Sequence, residues 1–418
     1  MTNGPWPQRA LSSLCVTISS GGTPSRGRPE FFVDDGHLWV KSKELLDCAI
    51  ATTEERISDA ALRGSSAKMY PPNTVLVAMY GANVGQLGWL QCTATVNQAI
   101  CALVSNPTEA DARYLFYVLM HTRRALVSQA FGAAQQNLNQ GLIQEFKVPC
   151  PPLPTQQRIA RILSAYDDLI ENNTRRIAIL EEMARSLYRE WFVKFRFPGH
   201  EEVAMVDSPI GPVPEGWNVV SASAALEISP ATKVPKDGEK PFIPMNGLSN
   251  DSMVIANIEA RTGNGGAKFK NGDTLFARIT PCLENGKTGF VQFLPTDDDV
   301  AFGSTEFIVL RSRALSAEFV YLMARSDAFR DNAIKSMSGA TGRQRVQEAC
   351  FDRFDFAHPP AALVSQFSEL TRPHFRSVHL LHKKNGVLRK TRDLLLPRLI
   401  SGELDVSHLD IDMRELSA

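Results

Sequence analysis

The chain repeats itself, and a repeat settles the architecture before local propensity does, because both copies must fold to one plan. Pro151-Pro152 opens a long helical stretch, and Pro359-Pro360 opens another 208 residues later. Upstream of the first pair stand Asn73-Thr74-Val75-Leu76-Val77-Ala78, then Gly85 and Gly88; upstream of the second stand Gly272-Asp273-Thr274-Leu275-Phe276-Ala277, then Gly286 and Gly289. Asn97-Gln98-Ala99-Ile100 answers Ser304-Thr305-Glu306-Phe307, Tyr114-Leu115 answers Phe319-Val320, and Gly132-Ala133 answers Gly339-Ala340. Trp6 and Trp217, each beside proline or glycine, open the two halves. The predicted plan is a globular domain over 1–150, a helical segment over 151–198, a second globular domain over 199–358, and a helical segment with a tail over 359–418.

Within each globular half, short apolar runs such as Leu38-Trp39-Val40, Val75-Leu76-Val77-Ala78 and Phe307-Ile308-Val309-Leu310 sit between Gly, Pro and Asn clusters, as strands do. Residues 114–126 and 317–329 carry apolar residues at helical spacing and close each half. The fold class is therefore α+β, two similar mixed α/β domains joined and followed by long helices.

Residues 155–195 contain no proline or glycine, and Ile159, Ile162, Tyr166, Leu169, Asn173, Ile177, Leu180, Ala184, Leu187 and Trp191 recur at alternating three and four. That is a coiled-coil pattern. Leu363, Phe367, Leu370, His374, Val378, Leu381, Asn385, Leu388, Leu395 and Leu399 offer a second seam, so an antiparallel pair is expected. Pro373, Gly386 and Pro397 are expected to kink or break the second helix. Asn173 and Asn385 either fix the register of the pair or are solvated. A stiff spacer between two modules reading one face of a duplex would hold them about one helical turn apart, ~34 to 36 Å, or a multiple of it.

With 418 residues, 44% hydrophobic, the chain has apolar mass for two or three cores. Its start lacks the basic-then-apolar order of a signal peptide, and no apolar run approaches ~18 residues, so a cytoplasmic protein with no membrane partner is expected. Seven cysteines are scattered without Cys-x-x-Cys spacing and read as reduced core residues. Forty-five basic and forty-five acidic residues count against a non-specific nucleic-acid coat, which needs a net positive surface, but not against a specific reader whose basic residues are local.

Pro151-Pro152-Leu153-Pro154-Thr155-Gln156-Gln157-Arg158-Ile159-Ala160, with Leu180-Glu181 and residues 187–192 downstream, resembles the central conserved region of Type I restriction-modification specificity subunits. Gly21-Gly22-Thr23-Pro24-Ser25 followed by Trp39-Val40-Lys41-Ser42-Lys43 looks like the start of that family's target-recognition domain, Pro214-Glu215-Gly216-Trp217 like the start of its second, and Ser401-Gly402-Glu403-Leu404 like its C-terminal helix end. The Gly-Gly-Thr-Pro-Ser loop has no clear copy in the second half. The resemblance implies a non-catalytic subunit in anti-phage defence that binds a split, asymmetric site in double-stranded DNA, one half per domain. It further implies helices that hold two methyltransferase subunits, with restriction and translocation subunits joining them. This chain would carry no cofactor; S-adenosylmethionine, ATP and Mg would serve the partner subunits.

Signatures of catalysis are broken. Gly286-Lys287-Thr288 imitates a phosphate-binding loop, but Pro281 stands where its first glycine belongs. Gly263-Asn264-Gly265-Gly266 lacks the third glycine of a dinucleotide turn and reads as a loop. The Pro-Pro pairs lack the Asp or Asn before and the aromatic after that would position an adenine amino group, and the eight histidines show no His-x-x-x-His pair, so no metal site is expected.

Base reading needs Arg for guanine and Asn or Gln for adenine on loops that enter a groove. The first domain offers Thr23, Ser25, Arg26, Arg28, Lys41, Lys43, Tyr80 and Asn83, then Gln135, Gln136 and Asn137; the second offers Arg278, Thr280, Asn285 and Lys287, then Arg343, Gln344 and Arg345. A solvated turn or a local cap competes with DNA contact at each position. On the helices, Arg and Glu mix as on a solvated face; the competing reading is partner docking, with Leu187, Trp191, Phe192 and Phe195 as its candidates. A two-domain coiled-coil adaptor that binds proteins and no DNA is the alternative function.

Overall fold

The computed structural model describes residues 6–130, 137–340 and 342–409; Gly132, Ala133, Gln135 and Gln136 lie outside them. The chain forms two compact units, residues 1–170 with 387–418 and residues 171–386. Each unit contains one sheet-bearing domain and part of each long helix.

In the first unit ten strands build two five-stranded sheets. They are β1 Cys15–Ser20, β2 Phe32–Val33, β3 His37–Val40, β4 Cys48–Ile50, β5 Arg56–Ile57, β6 Met69–Tyr70, β7 Val75–Ala78, β8 Leu87–Leu90, β9 Ala94–Val96 and β10 Ile100–Ser105. One sheet runs β1-β10-β7-β8-β4 and the other β2-β5-β3-β9-β6. The alternation of side chains along a strand explains the burial. Val75 and Val77 of β7, with Cys101 and Leu103 of β10, face helix α1 (Ala112–Ser128), whereas Leu76, Ala78, Ile100 and Ala102 fill the space toward Leu38, Val40 and Val96 of the second sheet. Strands buried on both faces read as continuous apolar runs, which is why Val75-Leu76-Val77-Ala78 shows no polar alternation.

The second unit reproduces this plan with fewer strands: β11 Leu226–Ile228, β12 Glu239–Ile243, β13 Glu259–Thr262, β14 Ala267–Lys270, β15 Thr274–Ala277, β16 Thr288–Phe290, β17 Val300–Gly303 and β18 Phe307–Ser312. Its sheets run β11-β18-β15-β16 and β13-β12-β17-β14. Register is preserved. Ile100 pairs with Ala78 in β10/β7 as Phe307 pairs with Ala277 in β18/β15, and Val96 pairs in parallel with Val40 as Gly303 does with Ile243. Helix α1 starts where Asp111 accepts from the Tyr114 amide; helix α3 (Ala317–Arg325) starts where Ser316 accepts from the matching Phe319 amide. Each such cap satisfies an amide the helix leaves open, a contribution of about 1 kcal/mol. A second capped helix, α4 (Asp327–Lys335), follows in this unit.

The two long helices are longer than any other element. Helix α2 covers Leu153–Tyr188 and ends in a π-helical turn, Arg189–Val193, after which Phe195 takes a left-handed φ of 58°. Helix α5 covers Ala361–Ile400 without interruption, through Pro373, Gly386 and Pro397. This corrects the expectation that those residues break it. An interior proline costs about 3 kcal/mol and a glycine about 1, and burial outweighs these costs: Phe367, Phe375 and Val378 around Pro373, and Leu396, Leu399 and Ile400 around Pro397, are at most 7% exposed.

The helices pair antiparallel within each unit. In the first, Ile159 and Leu163 of α2 share a core with Leu396, Leu399 and Ile400 of α5 and with Tyr114, Leu115 and Val118 of α1. In the second, Asn173 Nδ2 donates to Asn385 Oδ1 at 2.8 Å with both residues buried, and further along the pair Tyr188 meets Phe367.

Candidate nucleic-acid interface

In the first unit, the loop over residues 21–28 leaves the edge strand β1 and is fixed by close backbone contact. Gly22 N donates to Val96 O at 3.0 Å, and Trp39 Nε1 donates to Gly22 O at 3.1 Å. A Cβ on Gly21 would lie 2.0 Å from Val96 O, so only glycine fits there. Thr23, Ser25, Arg26 and Arg28 stand exposed on this loop. The Arg26 guanidinium stacks 4.1 Å over the Phe32 ring and pairs with Glu55 at 2.7 Å; Arg28 lies 5.3 Å over Phe31.

Lys41 bridges Glu54 and Glu55 at 2.8 and 2.7 Å, and Lys43 reaches Glu54 at 2.7 Å. Hydrogen bonds from Lys41 and Lys43 pull the Glu54 carboxyl down to about 2. Asn83 joins the group because its Nδ2 donates to Ser42 O at 3.1 Å. The structure thus brings Arg26, Lys41, Lys43 and Asn83 into one neighbourhood, and leaves Tyr80 exposed on the adjoining turn. Glu54 and Glu55 were not legible as partners, because they lie far from Arg26 in sequence and no spacing motif marks them.

In the second unit, Arg278, Thr280, Gln344 and Arg345 are joined by a short ladder. Val346 N donates to Arg278 O at 2.9 Å and Thr280 N to Gln344 O at 3.1 Å, with an Ile279–Arg345 bridge between. Arg345 makes a forked contact with Glu306, 2.6 to 3.1 Å, and this hydrogen bonding holds the Glu306 carboxyl below its usual range. Arg278 pairs with Glu348 at 3.1 Å. Arg278 Nε and Thr280 Oγ1 are buried with no hydrogen-bond partner. Arg343 is exposed. Asn285 is exposed elsewhere, and Lys287 is turned inward, donating to the carbonyls of Met245 and Leu248.

The first unit has the same attachment point. Leu138 N donates to Met79 O at 2.7 Å, and Met79 N to Ala99 O, just as Val346 N meets Arg278 O and Arg278 N meets Glu306 O. Asn137, which is exposed, therefore occupies the topological position of Arg345. Gln135 and Gln136 precede it outside the described residues.

The aromatic residues assigned to partner docking serve the second unit's own core. Trp191 and Phe192 are 6% and 8% exposed, with Phe192 4.7 Å from Phe319 and 4.8 Å from Phe367 by ring centroid. Phe195 packs on Trp217 at 5.4 Å, and Leu187 is partly buried against the same cluster. Periodicity had marked them as apolar without showing which neighbour buries them. Exposed apolar side chains on this part of the helices instead include Ile179, Met183, Val193, Leu370 and Leu380.

Among the described residues, no group of three or more His, Cys, Asp or Glu side chains could hold a metal ion, and no helix is long and apolar enough to cross a membrane.

Comparison with known proteins agrees with this geometry. The family model described as "Type I restriction modification DNA specificity domain" matches residues 15–182. The chain is 24% identical over 408 residues to the Type I restriction enzyme MjaIX specificity subunit of Methanocaldococcus jannaschii, covering 94% of this chain and 92% of that one. It is 31% identical over 171 residues to the Type I restriction enzyme EcoEI specificity subunit of Escherichia coli, 38% of this chain and 28% of the relative. Its fold matches the crystal structure of the Type-I restriction-modification system S subunit from M. genitalium with a TM-score of 0.58 at 15% identity, covering 96% and 97% of the two chains. In its duplicated two-sheet domain, its paired long helices and its alignment over almost the full length, this chain is similar to Type I restriction-modification specificity subunits, and residues 15–182 match their DNA specificity domain.

Proposed function

We propose that the chain reads a split, asymmetric DNA site, one half per unit, and that it is a non-catalytic scaffold in the cytoplasm for two methyltransferase subunits and for restriction subunits. Methyl transfer and cleavage, with S-adenosylmethionine, ATP and Mg, then belong to those partners. The observation that carries this reading is the shared loop attachment: Asn137 beyond Met79 O and Arg345 beyond Arg278 O hold one position in two domains of the same register. One position filled by an amide in one unit and a guanidinium in the other suits two related readers that recognise different bases. The surrounding carboxylates keep Arg26 and Arg345 paired until a phosphate or base edge replaces them, which suits a neutral chain that shares its grip on the duplex with partners. Ile179 and Met183, one helical turn apart and exposed, suit a docking face for a methyltransferase.

The test is a gel shift with the chain bound to its co-expressed methyltransferase. Replacing Arg343 and Arg345 by Ala is expected to weaken specific binding by about 1–3 kcal/mol per lost base contact. A shift indistinguishable from wild type would remove this loop from the interface.

A further inference from the structure

The first unit's loop over residues 21–28 has no sequence copy in the second half, yet the strand pairing locates its counterpart. Ile18 of β1 pairs with Leu103 of β10, and Ile228 of β11 pairs with Leu310 of β18. Leu103 and Leu310 are equivalent because β10 and β18 face β7 and β15 in the same register. Three residues beyond Ile18 comes Gly21; three beyond Ile228 comes Ala231. Residues 231–238 therefore leave the sheet edge where residues 21–28 do.

The missing glycines also have a physical explanation. In the first unit Gly21 occupies the space against Val96 O. The matching carbonyl in the second unit is Gly303 O, and there a Cβ on Gly266 would lie 2.0 Å away. Gly266 belongs to the connection between β13 and β14, the segment Gly263-Asn264-Gly265-Gly266 that resembles a nucleotide-binding turn without being one. This connection makes the close approach in the second unit, so the loop after β11 does not need glycine there. It also props that loop: Gly263 N donates to Lys236 O at 3.1 Å and Asn264 Nδ2 to Val234 O at 3.0 Å. From the other side Arg311, held by buried Asp273, donates to Thr232 Oγ1 at 3.0 Å.

The propped loop and β14 enclose an open cleft of about 320 Å³ whose lining includes Ser229, Thr232, Lys233, Gly266 and Lys268 and no acidic residue. Lys233 is exposed and Lys268 half-buried, and among the described residues neither pairs with a carboxylate. They differ in this from Arg26, Lys41, Lys43, Arg278 and Arg345, each of which holds one. Two ammonium groups sharing a cleft repel unless an outside anion joins them. Thr232 Oγ1 accepts from Arg311 and donates to Pro230 O at 3.5 Å, so it fixes the loop that carries Lys233.

We propose that this cleft seats a backbone phosphate of the DNA half-site read by the second unit, with Lys233 and Lys268 as its cations. The inference rests on the DNA-reading function proposed above. A phosphate contact positions the duplex and carries no sequence information, so random-sequence duplex is the appropriate probe.

The experiment titrates the chain, bound to its co-expressed methyltransferase, with fluorescent random-sequence duplex across a salt series. Replacing Lys233 and Lys268 together by Ala is expected to lower affinity roughly tenfold and to make the slope of log K against log salt shallower by about 0.9, the release from one neutralised phosphate. The K233R/K268R pair is expected to keep the wild-type slope, and melting curves verify that both variants fold. Wild-type binding with an unchanged slope in the Ala variant overturns the seat alone. So does competition by inorganic phosphate at matched ionic strength, because it makes the cleft a free-anion site. A wild-type complex that binds no duplex overturns the parent function, and this inference with it.

Discussion

In the first unit, Arg113 and Tyr117 of α1 reach across to Asp168 and Asp167 of α2, and Arg392 of α5 pairs with the same Asp167. In the second, the position two residues after the helix cap, where α1 has Arg113, carries Glu318, which accepts from Ser368 and Arg372 of α5. The domain helix brings cation and hydroxyl to a carboxylate in one unit and a carboxylate to cation and hydroxyl in the other. Backbone register is common to both halves, whereas the polar wiring is opposite. An apolar repeat sets a shared plan, but a duplicated chain also risks packing each domain on the wrong stretch of helix. Opposite charge at matching junctions penalises that exchange, because the wrong pairing sets like charges together.

The cores differ too. Around the second unit's helices Phe192, Phe319 and Phe367 meet edge to face, while the first relies on Ile159, Leu163, Leu396 and Leu399. The largest effect that sharpens the contrast is therefore Phe192→Ala, expected to cost about 3–5 kcal/mol. Hydrogen exchange should show protection lost through residues 171–386; equal loss in both units would mean that the units do not hold separate cores. A smaller loss, roughly 1–2 kcal/mol, is expected from Asp167→Asn, which leaves Arg392, 15% exposed, with Asp393 as its remaining carboxylate partner. Combined with Tyr117→Phe in a double-mutant cycle it should show coupling of at least about 0.5 kcal/mol. Strict additivity in chemical denaturation would break the claim that this junction acts as one network.

Much of this was legible in the sequence, and what was not has identifiable causes. The strand cores Val75-Leu76-Val77-Ala78 and Thr274-Leu275-Phe276-Ala277, the seam of α2 and the loops carrying Arg26, Arg278 and Arg345 announce themselves through local pattern. Helix α5 survives two prolines because tertiary burial outweighs a local penalty, and local pattern shows only the penalty. Trp191 and Phe192 look like docking residues because apolar spacing does not show who supplies the other surface. The carboxylates that hold the candidate cations come from distant strands and turns, so no spacing announces Glu55 to Arg26 or Glu306 to Arg345. The second unit's edge loop carries no such sequence signature because Gly266 makes there the close approach that Gly21 makes in the first unit, and only strand register recovers the equivalence.

The most direct measurement for two related readers in one chain is methylome sequencing of a methylation-free strain expressing this chain with its methyltransferase. The account expects methylation within a target of two specified blocks separated by unspecified bases, with substitutions at Arg343 and Arg345 degrading one block and sparing the other. A single uninterrupted target, or both blocks degrading together, would contradict it.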